Sequence, residues 1–136
     1  MEIDLKKIHE TLQLLDDEKS DSLLTITYQR FFSICPDSEA LWEKDDPISR
    51  GKMLNSIILT VMDNIVRPDI CENNVISDVK DHDGYGVNKD MYGLFFSSLI
   101  AAFHEVLGEG FNTDMDKAWT HQLELLECKV HKYTCR

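Results

Sequence analysis

Apolar residues recur along this chain at three- and four-residue spacing, the mark of helices that each bury one stripe. Leu5, Ile8, Leu12 and Leu15 share one face of a first helix, which Asp16-Asp17-Glu18 ends. Ser20 or Asp21 can cap a second, running through Leu24, Tyr28, Phe31 and Phe32 to Cys35, where Pro36 forces a boundary. Residues 37–43 have room for a short helix around Leu41 and Trp42. After Lys44-Asp45-Asp46-Pro47 comes a strongly periodic segment, Met53, Leu54, Ile57, Ile58, Val61, Met62 and Ile65, closed by Pro68. It reads as the most apolar helix and the centre of the core. From Asp69 to His82 the stripe thins to Ile70, Val75, Ile76 and Val79 among polar neighbours. Gly84 and Gly86 break that helix, and Asn88 can cap the next, through Tyr92, Phe95, Phe96, Leu99, Phe103 and Val106 to Gly108. Thr113 can cap the last, with Met115, Trp119, Leu123, Leu126, Val130 and Tyr133 on its stripe. No useful alternation of period two occurs, so the fold class is all-α, a bundle of six to eight helices.

Length and charge narrow the function classes. A chain of 136 residues suits one domain, 1–136. The formal charge of −11 repels phosphate backbones, so nucleic acid is excluded as a partner class. Cys35, Cys71, Cys128 and Cys135 form no C-x-x-C pair, which argues against a zinc site and against a disulfide framework. The N-terminus has acids where a secretory signal needs an apolar run, and no stretch reaches the ~18 uninterrupted apolar residues of a membrane span. A cytoplasmic protein with reduced thiols is the expectation, with no membrane partner.

Of the five histidines, His9, His104, His121 and His131 lie within periodic, charge-flanked helices, where a solvent-facing role is the simple reading. His82 differs. It ends a helix too polar to need burial for its own sake, directly before two glycines that free the backbone to turn. A helix held against a flat apolar ligand by a single bond tolerates that composition; the alternative is a capping histidine that satisfies the last carbonyls.

The run His82-x-Gly84-Tyr85-Gly86-Val87, then Tyr92, then Leu107-Gly108-Glu109-Gly110-Phe111 and Ala118-Trp119, resembles the bacterial single-domain globins and the globin module of flavohaemoglobins. Tyr28-Gln-Arg30-Phe31-Phe32 ahead of Pro36 is similar to the second-helix signature of that family. The resemblance spans nearly the whole chain and implies a globin fold enclosing a haem pocket, with haem b as cofactor. It implies that His82 is the proximal ligand of the iron, leaving the opposite axial position for a diatomic gas, O2 or alternatively NO or CO. Tyr28 would lie on the distal side, where a phenol can donate to bound oxygen.

Other positions carry over with departures. Leu54 matches the apolar lining residue of the distal helix, and Arg50, one turn earlier, stands where the family usually has glutamine. Arg50 can donate to a ligand, pair with a propionate or face solvent. A register one residue earlier puts Ser49 and Met53 in these positions and makes Met53 a candidate thioether ligand. Trp42 replaces a phenylalanine packed on the haem face, and Asp78 replaces an apolar residue beneath it, where a carboxylate can accept the outer N–H of the proximal imidazole. Tyr85, Val87 and Tyr92 complete the expected cofactor contacts. Tyr92 matches a proximal tyrosine, but the glutamate that assists it in flavohaemoglobins has Thr134 in its place.

The expectation is therefore a haem-binding globin for oxygen binding and transport or NO detoxification, with no catalytic residue of its own. Sustained NO dioxygenation would need a separate reductase, because no flavin domain follows before Arg136. The alternatives are a gas or redox sensor that signals through a partner protein, and a haem-free globin-fold interaction module. A homodimer is compatible with all three.

Overall fold

The computed structural model describes residues 2–39, 47–84, 87 and 89–133. Seven α-helices run in the order α1 (Glu2–Gln13), α2 (Asp17–Ile34), α3 (Pro36–Glu39), α4 (Pro47–Val66), α5 (Pro68–Gly84), α6 (Lys89–Leu107) and α7 (Thr113–Tyr133), with a 3-10 turn at Gly108–Gly110. No strand occurs among the described residues, and the fold is all-α. Trp42, Tyr85, Gly86, Asn88 and Thr134, named above, lie outside the described residues, as does the end of the short helix expected over 37–43.

Two helix starts differ from the sequence expectation. The cap of α2 is Asp16, in extended backbone with φ −90° and ψ −177°, and its carboxylate accepts the Lys19 N–H at 2.8 Å. Helix α1 ends at Gln13, ahead of the acidic run, which instead opens α2, with Asp17 and Glu18 in the first turn favoured by the helix dipole. Ser20 and Asp21 sit inside the helix. For α7 the cap is Asn112, whose side chain accepts from Met115 N at 2.9 Å, and Thr113 is already helical. Proline punctuates the chain as its chemistry requires: Pro36, Pro47 and Pro68 each open a helix, where a missing N–H leaves no bond unmade.

The principal pairings are α6 on α2, α1 on α7, α4 on α5 and α6 on α7. The centre of the core is α6 rather than α4. It is the one described segment long and apolar enough to meet a membrane-span criterion, with mean hydropathy 1.3 over residues 90–110. Here its apolar residues face protein: Phe95, Phe96, Leu99, Ala102 and Phe103 are buried. Phe95 meets Phe31 edge-on with centroids 5.1 Å apart, and Phe103 packs on Trp119 at 4.7 Å. Each such fully buried side chain contributes about 1.5–3 kcal/mol relative to exposure.

Helix α5 buries Cys71, Val75 and Val79, one turn apart, while Ile70 and Ile76 are 43% and 41% exposed. The stripe expected from the sequence is therefore rotated: a cysteine behaving as a small hydrophobe takes the place of the two isoleucines. A chain of polar contacts ties α1, α4 and α7 together. Lys129 Nζ donates to Asn64 Oδ1 at 2.6 Å, Asn64 Nδ2 to Gln122 Oε1 at 3.0 Å, and Gln122 Nε2 to Asp4 Oδ2 at 2.8 Å. Asn64 and Gln122 are both buried. Further along α7, the Tyr133 hydroxyl bonds the Glu72 carboxylate of α5. That bond holds Glu72 below the usual carboxylate range and pushes the Tyr133 phenol up.

Candidate functional site

A cavity of about 590 Å³ lies inside the bundle, walled by α2, α4, α5, α6 and α7. Ligand pockets commonly run to about 300–1,000 Å³ and are mostly apolar with a few placed polar groups. This one fits that description. Met53, Ile57 and Thr60 line it from α4, Val75, Val79 and His82 from α5, Phe95 and Phe96 from α6, and Leu126 and Val130 from α7. Along α4, α5 and α7 these positions recur every three or four residues, so each of those helices presents one face to the cavity.

His82 is the histidine on the wall. Its Nδ1 lies 2.6 Å from the main-chain carbonyl oxygen of Asp78, one turn back on α5. A carbonyl only accepts, so Nδ1 carries the proton and donates, and the lone pair is left on Nε2. The bond is one a helix-ending histidine can make anywhere. Here it joins a second feature, a half-buried ring facing an apolar cavity. Beyond it, the Val87 N–H donates to the His82 carbonyl at 3.1 Å, bringing the chain back along the same wall. The Tyr92 ring follows with its centroid 6.2 Å from that of the imidazole.

Of the residues singled out in the sequence, Met53, Asp78, His82, Val87 and Tyr92 line the cavity. Asp78 supports the imidazole through its main-chain oxygen, where the sequence pointed to its carboxylate. Tyr28, Arg50 and Leu54 are not among the lining residues. Tyr28 is buried edge-on to Phe95, centroids 5.3 Å apart, and its hydroxyl donates a long bond of 3.4 Å to the Arg50 carbonyl. The Arg50 guanidinium stacks over the rings of Tyr28 and Phe32, 5.3 and 5.2 Å from their centroids. Such cation–π contact favours keeping the charge on the aromatic faces. Leu54 is buried in the core. The face of α4 turned to the cavity is thus the one carrying Met53, Ile57 and Thr60, one residue earlier than the register centred on Leu54.

The sequence reading missed Phe31, Ile57, Val75, Val79, Phe95 and Phe96 as site residues. The spacing that would have found them is plain: Val75, Val79 and His82 form one stripe of α5, and Met53 and Ile57 one stripe of α4. Hydroxyls near the cavity are engaged locally. Ser38 donates to the Cys35 carbonyl at 2.6 Å and Thr60 to the Ser56 carbonyl at 2.7 Å. Charged side chains stand at exposed positions of the wall, Lys52 on α4 and Asp78 on α5.

Among the described residues no three His, Cys, Asp or Glu side chains gather to hold a bare ion. The one histidine on the described cavity wall is His82. No protein-family model matches the chain, and no curated protein matches it.

Proposed function

We propose that this chain is a globin that holds haem iron through His82 and binds a diatomic gas reversibly. The observation that carries the reading is the His82 ring, its Nδ1–H spent on the Asp78 carbonyl at 2.6 Å and its remaining nitrogen a lone-pair donor, on the wall of a 590 Å³ apolar cavity. The cavity is of cofactor size and its lining is that of a flat hydrophobic group, so the residues present fit haem. The pairings of α2 with α6, α1 with α7 and α4 with α5 support a globin arrangement, in which helices pack pairwise around the haem pocket.

When bound, haem would supply an iron able to bind O2, NO or CO. The chain's own residues do the rest. The Asp78 carbonyl fixes the tautomer of His82 and, by accepting its outer N–H, strengthens Nε2 as a donor. Met53, Ile57 and Phe95 make the cavity wall apolar and would keep water from a bound group, and Lys52 stands at an exposed position of that wall, where its cation could pair with an acidic group of the cofactor. Oxygen transport follows from reversible binding alone. NO detoxification would need a source of electrons.

The test is an absorption spectrum. Purified protein given haemin develops a Soret band at one haem per chain, and His82→Ala loses or displaces that band, with added imidazole restoring it. Protein that stays colourless with haemin, or a His82→Ala spectrum identical to the parent, overturns the assignment. The first outcome leaves the chain as a haem-free helical module.

A further inference from the structure

Helix α4 packs on α5 and brings the Met53 sulfur to the cavity that His82 also lines. Helices α4 and α5 form the two arms of a hairpin closed at Arg67 and Pro68. Met53 lies thirteen residues from the closed end of α4, and His82 fourteen from the start of α5. At 1.5 Å per residue these are heights of about 20 and 21 Å along the two arms. The thioether and the imidazole therefore line the same cavity at matched height on facing helices.

We propose that Met53 is the second axial ligand of the group His82 holds, so that the site rests closed by the protein itself. This inference depends on the haem reading above. Arg50, Thr60 and Ser38 are otherwise committed. Arg50 is stacked on Tyr28 and Phe32, and the Thr60 and Ser38 hydroxyls donate to carbonyls of their own segments. Met91 lines the cavity too, but from the start of α6, four residues past the Val87 that is hydrogen-bonded to His82. Lys52 sits one residue from Met53 at an exposed position.

A thioether is a good donor to haem iron, as histidine–methionine ligation shows, and it favours the reduced metal. The bond is dative: the Met53 Sδ shares a lone pair, no electron is transferred, and the sulfur has no proton to lose. Closure by Met53 is for that reason independent of pH, unlike closure by lysine, tyrosine or a second histidine. A gas must displace the sulfur. Its apparent affinity is the intrinsic one reduced by the open fraction, so a site closed ten to one binds about tenfold more weakly than one that cannot close.

The experiment compares haemin-loaded parent, Met53→Leu and Met62→Leu. Methionine to leucine conserves volume, so folding is kept. Met62 lies on the same helix but not on the cavity wall. The parent is expected to be low-spin and six-coordinate with no added ligand, and to show the sulfur-to-iron charge-transfer band when ferric. Met53→Leu should take up the same amount of haem, turn high-spin, lower the reduction potential and bind CO about tenfold more tightly, while Met62→Leu matches the parent. A parent that binds haem but is high-spin, or a Met53→Leu protein that stays low-spin, overturns the ligation while leaving the haem reading intact. A parent that takes up no haemin overturns both.

Discussion

The buried polar clamp sits just below the cavity, and its energetics can be worked from its geometry. Asn64 is one turn beyond Thr60 on α4, and Gln122 one turn before Leu126 on α7, so the clamp fixes the two walls relative to each other. Gln122→Leu keeps the side chain's bulk but removes both polar ends. The Asn64 amide, buried and bonded to Gln122 Oε1 at 3.0 Å, loses its acceptor. Asp4, bonded to Gln122 Nε2 at 2.8 Å, loses that bond and keeps His121, whose Nδ1 lies 2.6 Å away. A stranded buried donor costs about 1–3 kcal/mol, and the loss at the partly exposed Asp4 adds about 1. The sum is roughly 2–4 kcal/mol. Unfolding entropy of about 2.1 cal/mol/K per residue over this chain converts that to a fall in Tm of about 7–14 °C.

Replacing both partners behaves differently. In Asn64→Leu with Gln122→Leu no amide is stranded on either side, so the double variant should be more stable than the sum of the single losses by about 1–2 kcal/mol. The assay is a double-mutant cycle by urea and thermal denaturation on haem-free protein, with haemin uptake as a second readout of cavity shape. A single-variant loss below about 1 kcal/mol, or strict additivity in the cycle, would refute the claim that this pair is a desolvated hydrogen bond rather than two side chains that happen to touch.

Two further outcomes are expected. Burial at α1 pushes the Asp4 carboxyl up, but the bonds from Gln122 and His121 outweigh it and hold its pKa below the ordinary 3.8. Its stabilising effect is therefore complete above that pH and lost as pH falls through the lowered value, so Asp4→Asn should flatten the acid limb of stability against pH, read from urea midpoints between about pH 2 and 6. At the end of α6, Gly108 has φ +55° with open space around its Cα, so Gly108→Ala should cost about 1 kcal/mol purely through backbone conformation, and Gly108→Asn less, both read from Tm.

Most of the fold was readable because helical period is a strong signal wherever one stripe is buried, as in α1, α2, α6 and α7. The errors fall where several residues offer the same chemistry. Between Asp16 and Asp21 five side chains can accept an N–H at a helix start, and only the entry of the chain from α1 selects Asp16. Asn112 and Thr113 are equivalent caps one position apart, and the amide residue took the role. In α5 the inward face was misjudged because cysteine was not weighed as apolar, although Cys71 is fully buried while Ile70 and Ile76 face out.

The site divides along the same line. His82 stood out because glycines and a polar helix around one imidazole need an explanation, and the structure puts that ring on the cavity wall. The distal side could not be read from spacing alone, since Met53 and Leu54 are neighbours of similar size, 100° apart on α4. What separates them is tertiary: Leu54 is buried in the core, leaving Met53 on the cavity side. Arg50 and Tyr28 then follow the register. With α4 turned this way the Arg50 guanidinium meets two aromatic faces, and its carbonyl lies within reach of the Tyr28 hydroxyl. One helix rotation thus decides which side chains line the cavity, a thioether and an alkyl chain in place of a phenol and a guanidinium. On the proposed haem reading, that difference separates a site that waits open with hydrogen-bond donors from one that closes on itself.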